Sequence, residues 1–354
     1  MNDTWTIQAA LDWTQGYLER KGDENPRLSS QWLLSEATGL SRIELYAHFD
    51  KPLSMGERDT LRAYVSRRGS GEPLQYITGE VGFRHISVKV KPGVLIPRPE
   101  TEVLVSEGLA ALPAPPKRIA ADAFESDALR ESDGRPDAAH GLAGSGLHGG
   151  GEDGAPEDAP EAQPVDEAIP EERRELLVAD LCTGSGCIAC SIAYEHPETR
   201  VIATDIASEA VSLARENAEA LGLSDRIEVL EGSLGEAVPS GLVGSFDLVI
   251  SNPPYIPTAV LAEIPKEVAD FEPSLALDGG DDGLDLFRPL ALWSARALRP
   301  GGTLAVELHE TCLDEAAAAA KDAGFAVTTI VEDLTGRPRV LVARKGCGEC
   351  EDGR

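Results

Sequence analysis

The chain has 354 residues, more than one compact domain usually needs, and 42% of them are hydrophobic, ample for a buried core. Its 61 acidic against 32 basic residues leave a net charge of −29. That is the opposite of the basic surface from which counterion release draws nucleic-acid affinity, so a free nucleic-acid substrate is disfavoured.

No stretch reaches the roughly 18 consecutive apolar residues of a membrane span. The start, "MNDTWTIQAALDW", has no basic segment followed by an apolar block, so no membrane partner and a cytoplasmic location are expected. Within it, Ile7, Ala10, Leu11, Thr14, Tyr17 and Leu18 recur at helical spacing. "LSSQWLLSEATG" predicts a second helix, stopped by Gly39. Ser54, with Glu57 three residues later, is a capping-box pattern at the head of "SMGERDTLRAYVSRRG". Residues 1–72 are thus predicted to form a helical bundle without chemistry of its own, suited to packing or to docking a substrate.

Residues 73–98 change period. "HISVKV" alternates Ile86, Val88 and Val90 as a half-buried strand, and "QYITGEVGF" is expected to pair with it as a connecting β-hairpin. "VLIPRPETEVLV" then predicts a short strand, a Pro-Arg-Pro corner and a helix from about Glu100. Residues 113–175 lose all periodicity. They are Gly, Ala, Pro and acid, too poor in large apolar residues to offset ordering entropy, and are read as a disordered acidic insertion. From 176 to 344 strands and helices alternate, which predicts a doubly wound α/β sheet. The exception is the end: "FAVTTIVED" and "PRVLVARK" are joined only by "LTGR" and must form a hairpin, placing an antiparallel strand at the sheet edge. Residues 347–354 read as a flexible tail.

Six cysteines occur, at 182, 187, 190, 312, 347 and 350. "CIAC" and "CGEC" have a spacing compatible with zinc or redox chemistry. The first pair falls in an apolar helix and the second in the tail, so no metal site is assigned.

Two motifs carry chemistry. "VADLCTGSGCIA" runs a strand into a glycine-rich turn and a helix, the arrangement that brings backbone close to a ligand at a helix N-terminus. Gly184, Gly186 and Ala189 satisfy the dinucleotide fingerprint, and Asp205 ends the next strand where a carboxylate can hold ribose hydroxyls. By itself this fits a nicotinamide cofactor or any adenosine-bearing ligand. "DLVISNPPYIP" ends an apolar strand in a stiff polar corner. Counted from residue 177 that strand is the fourth, expected beside the first, so Asn252 should face the glycine turn. The Asn252 side-chain oxygen and the Pro253 carbonyl can accept both protons of an –NH₂ group; Pro254 stiffens the corner and Tyr255 offers a flat face. The pattern suits a planar amide or amino nitrogen beside an adenosine cofactor.

Together these residues resemble the class I S-adenosylmethionine-dependent methyltransferases that carry an Asn-Pro-Pro-Tyr motif and methylate planar nitrogens of nucleobases or of protein glutamine. "EPLQYITGEVGFRHISVKVKPGVLIPRPETEVLV", "FEPSLALDGGDDGLDLFRPL" and "EDLTGRPRVLVAR" further resemble the peptide chain release factor N5-glutamine methyltransferases. The resemblance implies a Rossmann-like, mostly parallel seven-stranded sheet with an antiparallel edge strand, spanning 99–346 around the insertion, plus the N-terminal bundle. It implies S-adenosyl-L-methionine as methyl donor and the glutamine of the Gly-Gly-Gln motif of release factors as acceptor, in support of translation termination. By position, Cys182, Thr183, Gly184, Ser185 and Gly186 would form the cofactor turn. Asp205 would hold the ribose, Ser233 and Leu234 would flank the adenine, and Asn252 would belong to the cofactor site as well; Asn252 through Tyr255 would bind the glutamine amide, Asn252 as the catalytic residue. Ile96 and Arg98 would contact the substrate loop. A nucleic-acid adenine methyltransferase, with a basic cleft, is the rival. The sequence leaves the oligomeric state open.

Overall fold

In the computed structural model, residues 5–115 and 174–347 are described. The predicted insertion and Cys350 of the tail lie almost wholly outside them.

The bundle comprises α1 (Ile7–Lys21), α2 (Pro26–Thr38), α3 (Arg42–Ala47), α4 (Met55–Gly69) and α5 (Leu74–Thr78). Helix α1 buries Ile7, Ala10, Leu11, Thr14 and Leu18 of the stripe its spacing predicts, with Tyr17 half-buried. Gly39 caps α2 in the left-handed region, and Ser54 and Glu57 form the expected capping box on α4. A second capping box, Ser41 with Glu44, starts α3, which the sequence pattern does not separate from its surroundings.

The expected hairpin is shorter than its pattern suggested. Residues 74–78 coil into α5 because Ile77 joins the bundle core while Tyr76 packs the other way, against Val90 and Ile96. Only β1 (Glu80–Phe83) and β2 (Ile86–Lys89) pair. Residues 94–96 are not a strand; they run as loop, held by the Tyr76 hydroxyl donating to the Val94 carbonyl at 2.7 Å. Helix α6 (Thr101–Ala110) comes next.

The second part alternates β3 (Leu176–Leu181), α7 (Cys187–Glu195), β4 (Thr199–Asp205), α8 (Ser208–Ala220), β5 (Ile227–Glu231), β6 (Phe246–Ser251), α9 (Lys266–Phe271), α10 (Phe287–Ala297), β7 (Leu298–Glu307), α11 (Leu313–Asp322), β8 (Phe325–Glu332) and β9 (Pro338–Lys345). The seven strands lie in the order β5-β4-β3-β6-β7-β9-β8. Strands β3 to β7 are parallel; β9 runs antiparallel to both neighbours, and its hairpin mate β8 closes that edge. Every residue of β3 and β6 is buried, as expected of central parallel strands covered on both faces. One apolar cluster packs α6, α7 and α8 on one face, and a second packs α10 and α11 on the other.

Candidate active site

Strand register decides the site. Leu181 of β3 stands opposite Thr204 of β4 and opposite Ser251 of β6, and Ser251 stands opposite Val306 of β7. The next residues, Cys182, Asp205, Asn252 and Glu307, therefore reach the carboxyl edge of the sheet at one level. Chain order reverses on either side of β3, so the connections diverge there and leave a crevice.

The glycine turn is held from below and from the side. Asp180, wholly buried, accepts the Thr183 hydroxyl at 2.6 Å and the Ala189 N–H at 3.1 Å; burial pushes its carboxyl up to about 7. Gly184 donates its N–H to Asp205 Oδ2 and Ala207 donates to Oδ1, both at 2.9 Å, which aims the carboxylate along the turn. Burial also raises the Asp205 carboxyl above its ordinary range. Gly186 has φ +79°, a backbone conformation strained for any side chain, and a Cβ there would crowd α8 at 3.1 Å from the Ala214 Cα. Asn217 of α8 is a residue that no sequence motif marked. Its Nδ2 donates to the Ser185 carbonyl at 2.8 Å and the Lys89 carbonyl at 3.0 Å, and its Oδ1 accepts the Lys89 N–H at 2.8 Å. The hairpin is thereby stapled to the back of the glycine turn rather than merely connecting two parts.

A cavity opens above the turn. Of the expected residues, Cys182, Thr183, Gly184, Ser185, Asp205, Ser233, Leu234, Asn252 and Pro254 line it, as do Ile96 and Arg98. Ile206, Thr101 and the Pro273–Leu275–Ala276 segment line it too and were not expected. Ile206 and Leu275 are more than half exposed, apolar surface that nothing among the described residues covers. The side chain of Arg98 is ion-paired with buried Glu272.

Three expected residues do not line the cavity. Gly186 sits behind the turn, against α8. Pro253 is buried in the corner. Tyr255 turns its ring onto the core and donates its hydroxyl to Glu307 Oε1 at 2.9 Å, so it does not present the flat face expected of it. Burial drives that phenol well above its ordinary range. Asn252, by contrast, is half-buried at the cavity wall, and its Nδ2 donates to Thr101 Oγ1 at 3.1 Å.

The corner itself is clamped by residues 277–283. Ile256 donates to the Leu277 carbonyl and Gly279 to the Ile256 carbonyl, each at 2.9 Å. A Cβ on Gly279 would lie 2.7 Å from the Tyr255 Cα, so that segment fits the corner backbone to backbone. Burial pushes the Cys187 and Cys190 thiols up, Cys190 to about 12, which disfavours the thiolate that metal or redox chemistry needs. Among the described residues no group of three potential ligands is placed to hold a metal.

A glycine turn pressed against α8, a carboxylate aimed along it and facing aliphatic side chains fit an adenosine cofactor with a charged tail. With the seven-stranded sheet and its reversed β9, they define a class I S-adenosylmethionine-dependent methyltransferase, and S-adenosylmethionine is its methyl donor. A family model described as the PrmC N-terminal domain matches residues 9–79, and one described as a methyltransferase small domain matches residues 166–264. The release factor glutamine methyltransferase of Geobacter sulfurreducens is 37% identical over 344 residues, covering 97% of this chain and 98% of that protein. Those of Rhodopirellula baltica and Moorella thermoacetica are 34% and 35% identical, over 97% and 96% of this chain and 98% of each relative. The chain belongs to the release factor glutamine methyltransferase family.

Proposed function

We propose that this enzyme methylates the side-chain amide nitrogen, N5, of the glutamine in the Gly-Gly-Gln motif of peptide chain release factors, in support of translation termination. The observation that carries the reading is the setting of Asn252, whose Nδ2 is engaged by Thr101. Its Oδ1 is thereby free to accept a proton from a substrate –NH₂ group. Family membership over nearly the whole chain supports the release factor as partner.

The residues lining the cavity support the cofactor roles. The backbone of Cys182 to Ser185 cradles the charged tail, Gly186 permitting the close approach from behind, and Asp205 accepts from ribose hydroxyls. Ile206 and Leu234 supply aliphatic cover for the adenine faces, with Ser233 beside them. Bound there, S-adenosylmethionine supplies an electrophilic methyl group on a sulfonium.

An amide nitrogen is a weak nucleophile because its lone pair is delocalised into the carbonyl. Asn252 Oδ1 accepts an N–H of the substrate amide, which holds the nitrogen in line for attack and converts an encounter into a near-attack geometry. The same carbonyl dipole favours the positive charge that grows on nitrogen as the bond forms. Pro253 and Pro254 have no N–H to compete for that acceptor. The motif holds no general base, and the amide can release its proton to water after transfer.

A methyl-transfer assay with labelled S-adenosylmethionine tests the reading, with a release factor and an unmethylated DNA and RNA pool offered in parallel. Mass spectrometry is expected to place the methyl on the Gly-Gly-Gln glutamine, and Asn252→Ala to lose it while still binding cofactor. Label on adenine instead would replace the reading with a nucleic-acid methyltransferase.

The role of the bundle, residues 1–72, is proposed as docking of the protein substrate. Its position supports this: Arg68 of α4 pairs with Glu267 of α9 at 3.0 Å, and the chain after α9 supplies Pro273, Leu275 and Ala276 to the cavity wall.

A further inference from the structure

An asparagine amide turned by half a revolution presents –NH₂ where it presented oxygen, and the two ends are nearly equal in size. The reading of Asn252 therefore needs something that decides which way round its amide sits. The fold supplies it two residues deep. Glu307, at the end of β7, is buried and takes one hydroxyl on each carboxylate oxygen. Oε2 accepts from Thr101 Oγ1 at 2.7 Å, and Oε1 accepts from Tyr255 at 2.9 Å. A threonine hydroxyl has a single proton. With that proton committed to Glu307, Thr101 Oγ1 meets Asn252 as an acceptor, and only the –NH₂ end of the amide satisfies it. Thr101 and Glu307 are 2% and 1% exposed, so water does not compete for either.

We propose that Thr101 and Glu307 are positioning residues which fix the polarity of the Asn252 amide, so that the site accepts the protons of a substrate –NH₂ and turns away a group that brings lone pairs. The inference rests on the reading of Asn252 given above. It deepens that reading into a specificity device: a glutamine side chain fits the fixed oxygen, whereas a glutamate side chain in its place sets carboxylate against carbonyl. Neither residue touches the reacting atoms. Their action passes through Asn252, and it depends on hydrogen-bond direction rather than on charge at the methyl group.

The relay makes different demands on different substitutions. Thr101→Val keeps the shape but removes the acceptor, so the Asn252 amide is free to turn. Thr101→Ser keeps the hydroxyl. Glu307→Gln offers an –NH₂ that can donate to Thr101 Oγ1, which sends the Thr101 proton toward Asn252 and reverses the amide.

The test is steady-state methylation of a release factor by the full chain and by these variants. Cofactor affinity is measured by calorimetry, and inhibition by a release factor in which glutamate replaces the Gly-Gly-Gln glutamine. Thr101→Val and Glu307→Gln are each expected to lower kcat by about tenfold to 100-fold, the scale of misplacing a reacting group. Their cofactor Kd should stay within about threefold of the parent, because the glycine turn and Asp205 are untouched. Thr101→Ser should recover most of the turnover. The glutamate-bearing release factor should inhibit both impaired variants more strongly, relative to the glutamine form, than it inhibits the parent; a merely structural role would not move that ratio.

Parental turnover in Thr101→Val and Glu307→Gln, or loss of cofactor binding together with activity in both, would overturn the relay. So would failure of Thr101→Ser to rescue. Asn252→Ala run alongside separates the two levels. If it is inactive while Thr101→Val is normal, only the relay is wrong; if it turns over normally, the reading of Asn252 falls and the relay with it.

Discussion

Arg68 of α4 lies 3.0 Å from Glu267 of α9, an ion pair that ties the helical bundle to the helix just before the Pro273–Ala276 stretch of the cavity wall. The same guanidinium donates through Nε to Asp23 Oδ2 at 2.7 Å, and both Arg68 and Asp23 are largely buried. The two partners differ in what their loss costs. Arg68→Ala leaves the Asp23 carboxylate buried with only its contacts to Ser29 and the Asn25 N–H, and should destabilise the protein by about 2 kcal/mol or more. Glu267 is half exposed, so Glu267→Gln should cost less than about 1 kcal/mol. If the bundle docks the protein substrate, that change should still raise KM for the release factor while leaving cofactor affinity alone. Urea titration and steady-state kinetics on the two variants check both statements.

Gly279 is expected to be intolerant of any side chain. The atoms that a Cβ would strike belong to the backbones of Tyr255 and Gly283 and cannot swing aside. Gly279→Ala should cost about 1–3 kcal/mol through overpacking. The corner moves with it, so kcat should fall at least about tenfold while cofactor binding persists, since displacements of about 1 Å are felt at that scale. Parental kcat in this variant would show that the 277–283 segment does not set the corner.

Asn217 bridges three backbone groups, two of Lys89 and one of Ser185. Asn217→Ala should lower stability by roughly 2–4 kcal/mol, because the groups it releases lie in a buried setting. Asn217→Asp should be worse, since a carboxylate would face the Ser185 and Lys89 carbonyls with no proton to give. Because one of those carbonyls belongs to the glycine turn, weaker cofactor binding should accompany the loss. Chemical denaturation and calorimetry report the two effects separately.

Asp180 gives the free enzyme a pH dependence of stability. Its folded value is raised to about 7 from an ordinary 3.8, so between those values the folded chain holds a proton that the unfolded chain has released. The stabilising contribution is full below about pH 4 and is lost as pH rises to about 7; above that it is absent. Asp180→Asn, which keeps an acceptor for Thr183 and Ala189, should remove this slope. Denaturation midpoints measured from pH 5 to 8 should fall less steeply in the variant than in the parent, and parallel profiles would count against the assignment.

The candidate site was legible in parts. Cys182, Asp205 and Asn252 each mark the end of an apolar strand by a change of residue type, and parallel pairing then brings strand ends together. Thr101 and Glu307 carried no such mark: they are 206 positions apart, and a threonine opening a helix and a glutamate ending a strand are commonplace. Tyr255 belonged to a recognisable corner, yet the direction of its ring depended on Glu307, 52 positions away.

The same division runs through the fold. Local order determined α1, the Ser54–Glu57 cap, the alternating strands and the β8–β9 hairpin, because helix stripes, caps and short turns rest on contacts within a few residues. Tertiary packing decided that residues 74–78 coil rather than extend, since Tyr76 and Ile77 are buried in two different clusters. It also made the hairpin a buttress of the glycine turn, through one asparagine of α8. The sequence determined which strand ends carry the chemistry, because that depends on the residues placed directly after an apolar run. Only the tertiary structure decided which way the side chains there point, because hydrogen-bond partners are chosen by register across the sheet and not by distance along the chain.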